Sequence, residues 1–130
     1  MSDLTAENEG NHASKLLRIW VAVIKSGDPK LVAGLYHDAG LLLGTFSNKE
    51  RVGHELILEY FENLLKSPVD VEIVSEHPFV ESPDCAINSG HYNFVTNAKT
   101  INARFSFVYI FVDSGAHKII SHHSSVMPET

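Results

Sequence analysis

Between residues 13 and 25 the apolar side chains Leu16, Leu17, Trp20, Val23 and Ile24 recur at helical spacing, and Gly27 follows where a C-terminal cap belongs. The pattern predicts an opening helix. The residues ahead of it, 1–11, are almost wholly polar and predict a disordered tail before one domain over 12–130. Asp28 and Pro29 then read as the N-cap and first residue of a short second helix carrying Leu31, Val32, Leu35 and Tyr36. Residues 41–46 form a brief apolar run suited to a buried strand, and 48–53 a polar turn. Residues 54–66 place Leu56, Ile57, Tyr60, Phe61, Leu64 and Leu65 on one face of a third helix, which Pro68 stops.

After Pro68 the pattern becomes that of strands. Segments 69–80, 85–96, 100–112 and 118–127 are rich in Val, Ile, Phe, Tyr and Thr, and are divided by Ser82-Pro83-Asp84, Asn97-Ala98-Lys99 and Asp113-Ser114-Gly115. Such short connections predict an antiparallel meander, and helices followed by strands predict an α+β fold with the helices on one face of a bent sheet. In 104–112, Phe105, Phe107, Tyr109 and Phe111 alternate with Arg104, Ser106, Val108, Ile110 and Val112, so both faces are apolar over the later half. One layer of helices covers only one of these faces, and the other predicts a homo-oligomer.

Composition narrows the partners. The chain has 130 residues, 44% hydrophobic and 20% charged, which suits one globular domain, and no apolar run approaches the ~20 residues of a membrane-spanning helix. Sixteen acidic against ten basic residues leave a formal charge of -6 with no basic run, which argues against a nucleic-acid partner. The polar, acidic start lacks the pattern of a secretory signal, and the single Cys85 has no partner for an internal disulfide, so a cytoplasmic location is expected.

The segment IISHHSSVMP, 119–128, concentrates the candidate chemistry. His122 and His123 alternate across a strand and cannot share one ion, and His117 stands about 20 Å from His123 along an extended chain, so neither a metal nor a cofactor is expected here. Ser124 shares a face with His122 but at about 7 Å along the strand, without the elbow that exposes a nucleophilic hydroxyl.

Trp20 in the opening helix, SGDP at 26–29, a helix ending in Leu35-Tyr36, a Gly53-led helix with EYFENL at 59–64, ARFSFVYIFV at 103–112 and IISHHSSVMP together resemble one family. Over 13–128 the chain is similar to the association domain of calcium/calmodulin-dependent protein kinase II and its stand-alone bacterial relatives. The resemblance implies the nuclear transport factor two-like, cystatin-like α+β roll. This is a cone of curved antiparallel sheet wrapped around the N-terminal helices, with an open pocket, and SnoaL-like polyketide cyclases and ketosteroid isomerases share it. It also implies self-association as a homodimer or larger ring.

The resemblance also implies a pocket whose arginines, in the kinase's association domain, receive acidic ligands; the matching positions here are Val108 and Ser124, so Arg104 is expected to supply a guanidinium instead, answered by Asp38 or a bound anion. The implied pocket lining is Trp20, Tyr36, Tyr60, Arg104, Ser106, His122 and Ser124, open to a small acidic or apolar ligand. Two functions follow as expectations. One is a non-catalytic, homo-oligomerising domain with a ligand pocket. The alternative is a small-molecule isomerase or cyclase, with His37, Asp38, His91 or His122 as its acid or base in an apolar pocket and Tyr36 as an oxyanion donor.

Overall fold

A computed structural model describes residues 6–112 and 115–129, with side chains from residue 12 onward. The first helix, α1, spans Ala6–Ser26. It therefore starts ahead of residue 13 and takes up part of the expected tail, while residues 1–5 lie outside the described residues. A polar sequence does not by itself remove helix propensity. Leu17, Trp20 and Ile24 of α1 are fully buried, as the spacing predicts.

Helix α2, Pro29–Ala33, begins as expected: the Asp28 carboxylate accepts from the backbone N–H of Lys30 at 2.9 Å and of Leu31 at 3.4 Å. It stops before Tyr36, which instead opens strand β1, Tyr36–Leu43. Val32 and Tyr36 fit helical spacing, but the Ile119 N–H donates to the Leu35 carbonyl at 2.9 Å, so pairing with a distant strand takes over the backbone at that point. The expected turn at 48–53 contains a short strand, β2, Glu50–Val52, antiparallel to β1. Helix α3 runs His54–Leu64.

Strands β3 (Val69–Ser82), β4 (Cys85–Thr96), β5 (Lys99–Phe111) and β6 (His117–Val126) form the antiparallel meander the sequence predicts. The six-stranded order is β2-β1-β6-β5-β4-β3, and the β1–β6 pair is parallel, a departure from an all-antiparallel cone. Helix α1 packs across β3, where Arg18 bridges Glu76 at 2.7 Å. The core lies between the helices and the inner sheet face, joining Trp20 and Phe61 to Tyr92, Phe94, Phe105, Phe107 and Tyr109.

The β5–β6 register shifts between Val108 and Tyr109, so Ile120 is an extra residue on β6. That bulge lets both Ile119 and His122 face inward and be buried, three positions apart, where strict alternation would turn one of them out.

Candidate functional site

Two inward strand positions organise the interior. Phe107 of β5 pairs with His122 of β6, and Phe105 with Ser124, so both polar side chains lie on the concave face beneath α1. His122 is 2% exposed, stacks on Phe107 with centroids 3.9 Å apart, and meets the Trp20 ring edge-on at 5.3 Å. Tyr36, carried in by β1, and Tyr92, on β4 and stacked on Trp20, flank it.

The polar atoms form one chain with a single consistent direction. Trp20 Nε1–H donates to Tyr36 Oη at 3.1 Å, and Tyr36 Oη–H donates to His122 Nδ1 at 2.7 Å. His122 Nε2–H then donates to Tyr92 Oη at 3.2 Å, and Tyr92 donates to Ser124 Oγ at 2.5 Å. Ser124 Oγ–H is left to donate to Thr45 Oγ1 at 2.5 Å. An indole can only donate, and each later group accepts once and donates once, which a neutral imidazole with its proton on Nε2 allows and a cation does not. Burial, with a smaller contribution from His123, lowers the His122 pKa to about 3. Burial likewise holds the Tyr36 and Tyr92 hydroxyls well above their ordinary range.

Little room remains around this chain. A cavity of about 10 Å³ lies among Trp20, Gly44, Tyr60, Phe61, His122 and Ser124, one water at most. Tyr60, 6% exposed and pushed up to about 12 by burial, separates it from a cleft of about 340 Å³ at the open end of the cone. Phe46, Ser47, Arg51, Tyr60, Asn63 and Asn97 are among the residues lining this cleft. The Arg51 guanidinium lies 5.6 Å from the Tyr60 ring centroid and bonds Glu59 at 2.8 Å, which holds the Glu59 carboxyl below its usual range.

Of the predicted pocket residues, Trp20, Tyr36, Tyr60, His122 and Ser124 come together. Arg104 and Ser106 do not: with Phe105, Phe107 and Tyr109 turned inward, alternation puts them on the outer face, where they border a shallow depression with His123 and Ser125. Val108 lies on that outer face too. The expected Arg104–Asp38 pairing is absent; the Asp38 side chain is 94% exposed, 3.6 Å from His54. His37 Nδ1 accepts from the Ala39 N–H at 2.9 Å, outside the interior chain, and His91 is exposed on β4. Tyr36 and Asp38 therefore do not share a site. His117 faces His12, Nδ1 to Nε2 at 3.1 Å, and no third metal-ligating side chain joins them among the described residues.

Sequence reasoning missed Arg51, Asn63, Asn97 and Phe46. Their signal was faint: Arg51 is the buried middle of a three-residue strand whose neighbours are exposed, inside what reads as a polar turn.

Among the described residues no helix is long and apolar enough to cross a membrane. No curated protein matches the sequence. The model of the calcium/calmodulin dependent protein kinase II association domain matches residues 10–128. A solved Xanthomonas campestris protein named for that association domain is 37% identical, with a TM-score of 0.86, covering 92% of this chain and 88% of its own. More distant neighbours share the fold. An NTF2-like protein with a cystatin-like fold from Novosphingobium aromaticivorans is 11% identical (TM-score 0.73; 89% of this chain, 80% of that one). A ketosteroid isomerase-like protein from Erwinia carotovora is 15% identical (TM-score 0.72; 90% and 95%). The chain has the NTF2-like, cystatin-like α+β fold and belongs to the calcium/calmodulin dependent protein kinase II association domain family.

Proposed function

We propose that this chain is a non-catalytic domain that associates with itself, as a homodimer or larger ring, through the outer face of its sheet. The observation that carries the reading is a row across that face. Ile87, Val108, Ser121, Leu41 and Val52 pair in succession across β4, β5, β6, β1 and β2, with Ile110 beside Val108 on the same face. These side chains are apolar or small, Val52 is 58% exposed, and α1 occupies the opposite side of the sheet. A second copy is the economical cover for such a face. Membership of a family named for association supports the same occupant.

Proton-transfer catalysis on an apolar substrate asks for space and for a group that titrates near neutrality. The interior offers about 10 Å³, and its histidine is held neutral with both nitrogens engaged. These features favour assembly over the isomerase reading. The test is the native mass of the wild-type chain and of Val108→Glu. The expected result is a multimer that the variant reduces to monomer while remaining folded. A monomeric wild type, or an unchanged mass in the variant, would overturn the proposal.

A further inference from the structure

His117 stands too far along β6 from His123 for the two to share an ion, but the fold gives it another neighbour. His12 Nε2, on α1, lies 3.1 Å from His117 Nδ1, across 105 positions of chain. The ring centroids are farther apart than the nitrogens, at 4.5 Å, so the nitrogen edges are turned toward one another. Neither nitrogen has another hydrogen-bond partner among the described residues.

Both positions are held by the frame around them. Beside His12, α1 is anchored by Ala13 and farther along by Leu17, both fully buried. His117 pairs with Phe111 across β5 and β6 and meets its ring edge-on at 5.1 Å. Just before it, the Val112 N–H donates to the Ala116 carbonyl at 2.8 Å and closes the hairpin. The pair sits at the end of β5 away from the Asn97 turn, apart from the cleft and from the His122 chain. His12 is exposed and His117 half-buried, so an ion reaches them from solvent.

The spacing matches that of two ligands on one metal. Metal–nitrogen bonds of about 2.0–2.1 Å put neighbouring ligand nitrogens about 2.9 Å apart at a right angle and about 3.3 Å apart at the tetrahedral angle. At 3.1 Å the pair falls between the two, and small ring rotations reach either. In the hydrogen-bonded pair one ring donates and the other accepts. A metal takes the place of the shared proton, which moves to the far nitrogen of its own ring, and both imidazoles stay neutral. Water fills the remaining positions, so the ion exchanges with solvent, unlike one in a closed structural centre.

Donor type selects the ion. Imidazole nitrogen suits Zn²⁺, Ni²⁺ and Cu²⁺, whereas Mg²⁺ and Ca²⁺ take oxygen ligands. Charge adds nothing here: no carboxylate joins the pair among the described residues, and Lys15, three positions on in α1, is near enough to His12 to repel a cation.

We infer that His12 and His117 form a two-imidazole site for a divalent transition-metal ion of the Zn²⁺, Ni²⁺ and Cu²⁺ class, and that the bound ion ties α1 to β6. Unfolding separates the two ligands by the whole sheet, so an ion that needs both stabilises the folded chain.

The experiment is a calorimetric titration of the metal-free full chain with Zn²⁺ at about pH 7.5, where unperturbed imidazoles are neutral, and a parallel one with Mg²⁺. Saturable binding of one Zn²⁺ per chain is expected, weaker by about tenfold or more in His12→Gln and in His117→Gln and no weaker still in the double variant. His91→Gln removes an exposed imidazole elsewhere, on β4, and should leave the affinity unchanged. Saturating Zn²⁺ should raise the thermal midpoint of the wild type and not that of His12→Gln. Absence of saturable binding, an equal response to Mg²⁺, or unaltered affinity in His12→Gln would each overturn the site. An unmoved midpoint, or one ion per two chains, would overturn the tie between α1 and β6 of one copy. Val108→Glu should bind Zn²⁺ as the wild type does, which keeps this inference separate from self-association.

Discussion

The Tyr36 hydroxyl lies 2.7 Å from His122 Nδ1, and the two residues are 86 positions apart in the chain. That bond closes the parallel β1–β6 seam from inside the cone, and it is the second of five links in the run from Trp20 to Thr45. Removing the hydroxyl in Tyr36→Phe leaves the Trp20 N–H without an acceptor and His122 Nδ1 without a donor, both buried. Unsatisfied buried groups of this kind cost about 1–3 kcal/mol each, less what relaxation recovers. Tyr60→Phe loses a 3.3 Å contact from the Phe46 N–H and a weaker one from the Thr45 backbone, beside the cleft, and should cost less than about 1 kcal/mol. Denaturant midpoints at constant m-value measure the order; equal losses in the two variants would show that the chain has no special weight.

The same geometry sets a pH dependence. The folded imidazole takes a proton only near pH 3, against an ordinary value of 6.5. Between the two the unfolded chain holds the extra proton, so acid favours unfolding. His122 imposes no penalty above pH 6.5, and stability falls below it by up to about 1.4 kcal/mol per pH unit. His12, lowered by burial and by His117, acts in the same direction; Glu76, lowered by its Arg18 bond, adds its loss only as pH drops through the carboxylate range. From pH 7 to 5 the expected loss is therefore about 2 kcal/mol. His122→Asn should remove most of that slope and His12→Gln little of it. A slope that survives in His122→Asn would place its origin elsewhere.

Much of this was legible in the residues. The alternation of Phe105, Phe107 and Tyr109 marks one face of β5, and the spacing of His122 and Ser124 marks one face of β6. Which faces of the two strands coincide is a matter of register, and the bulge at Ile120 alters it. The grouping of Arg104 and Ser106 with His122 and Ser124 rests on family positions matched at Val108 and Ser124, whereas the register sets Phe107 opposite His122 and turns Arg104 and Ser106 outward. Tyr36 satisfied helical spacing with Val32, and only the contact between Leu35 and Ile119 decides for a strand. Short-range periodicity does not encode partners some 80 residues apart. Arg51 was hidden for another reason: a single buried charge between two exposed residues has no periodic signature.

Two close approaches provide a graded test of the packing. A Cβ on Gly90 would overlap the Ser75 carbonyl oxygen and lie 2.9 Å from Glu76 Cα, where β3 bulges across β4. A Cβ on Gly44 would overlap the ring of Tyr60. Backbone cannot swing aside, whereas a tyrosine ring bordering a cleft can. Gly90→Ala should therefore disrupt the β3–β4 pairing and cost more than about 3 kcal/mol, beyond ordinary overpacking, while Gly44→Ala should stay within about 1–3 kcal/mol. Thermal unfolding ranks the two, and a Gly44→Ala loss as large as that of Gly90→Ala would mean that Tyr60 is as rigid as backbone.

The β4–β5 turn offers a substitution with the opposite sign. Thr96 pairs with Lys99, leaving Asn97 and Ala98 as a two-residue connection with both φ angles positive. Tight hairpin turns of this sort favour Asn followed by Gly, because a left-handed conformation costs a residue with a Cβ about 1–2 kcal/mol. Ala98→Gly relieves that strain but gives the unfolded chain more freedom, a loss of about 0.5–1 kcal/mol. The difference predicts a gain of up to about 1.5 kcal/mol, read as a higher denaturant midpoint at unchanged m-value. A midpoint that is unchanged or lower would mean that the left-handed conformation costs Ala98 little in this hairpin.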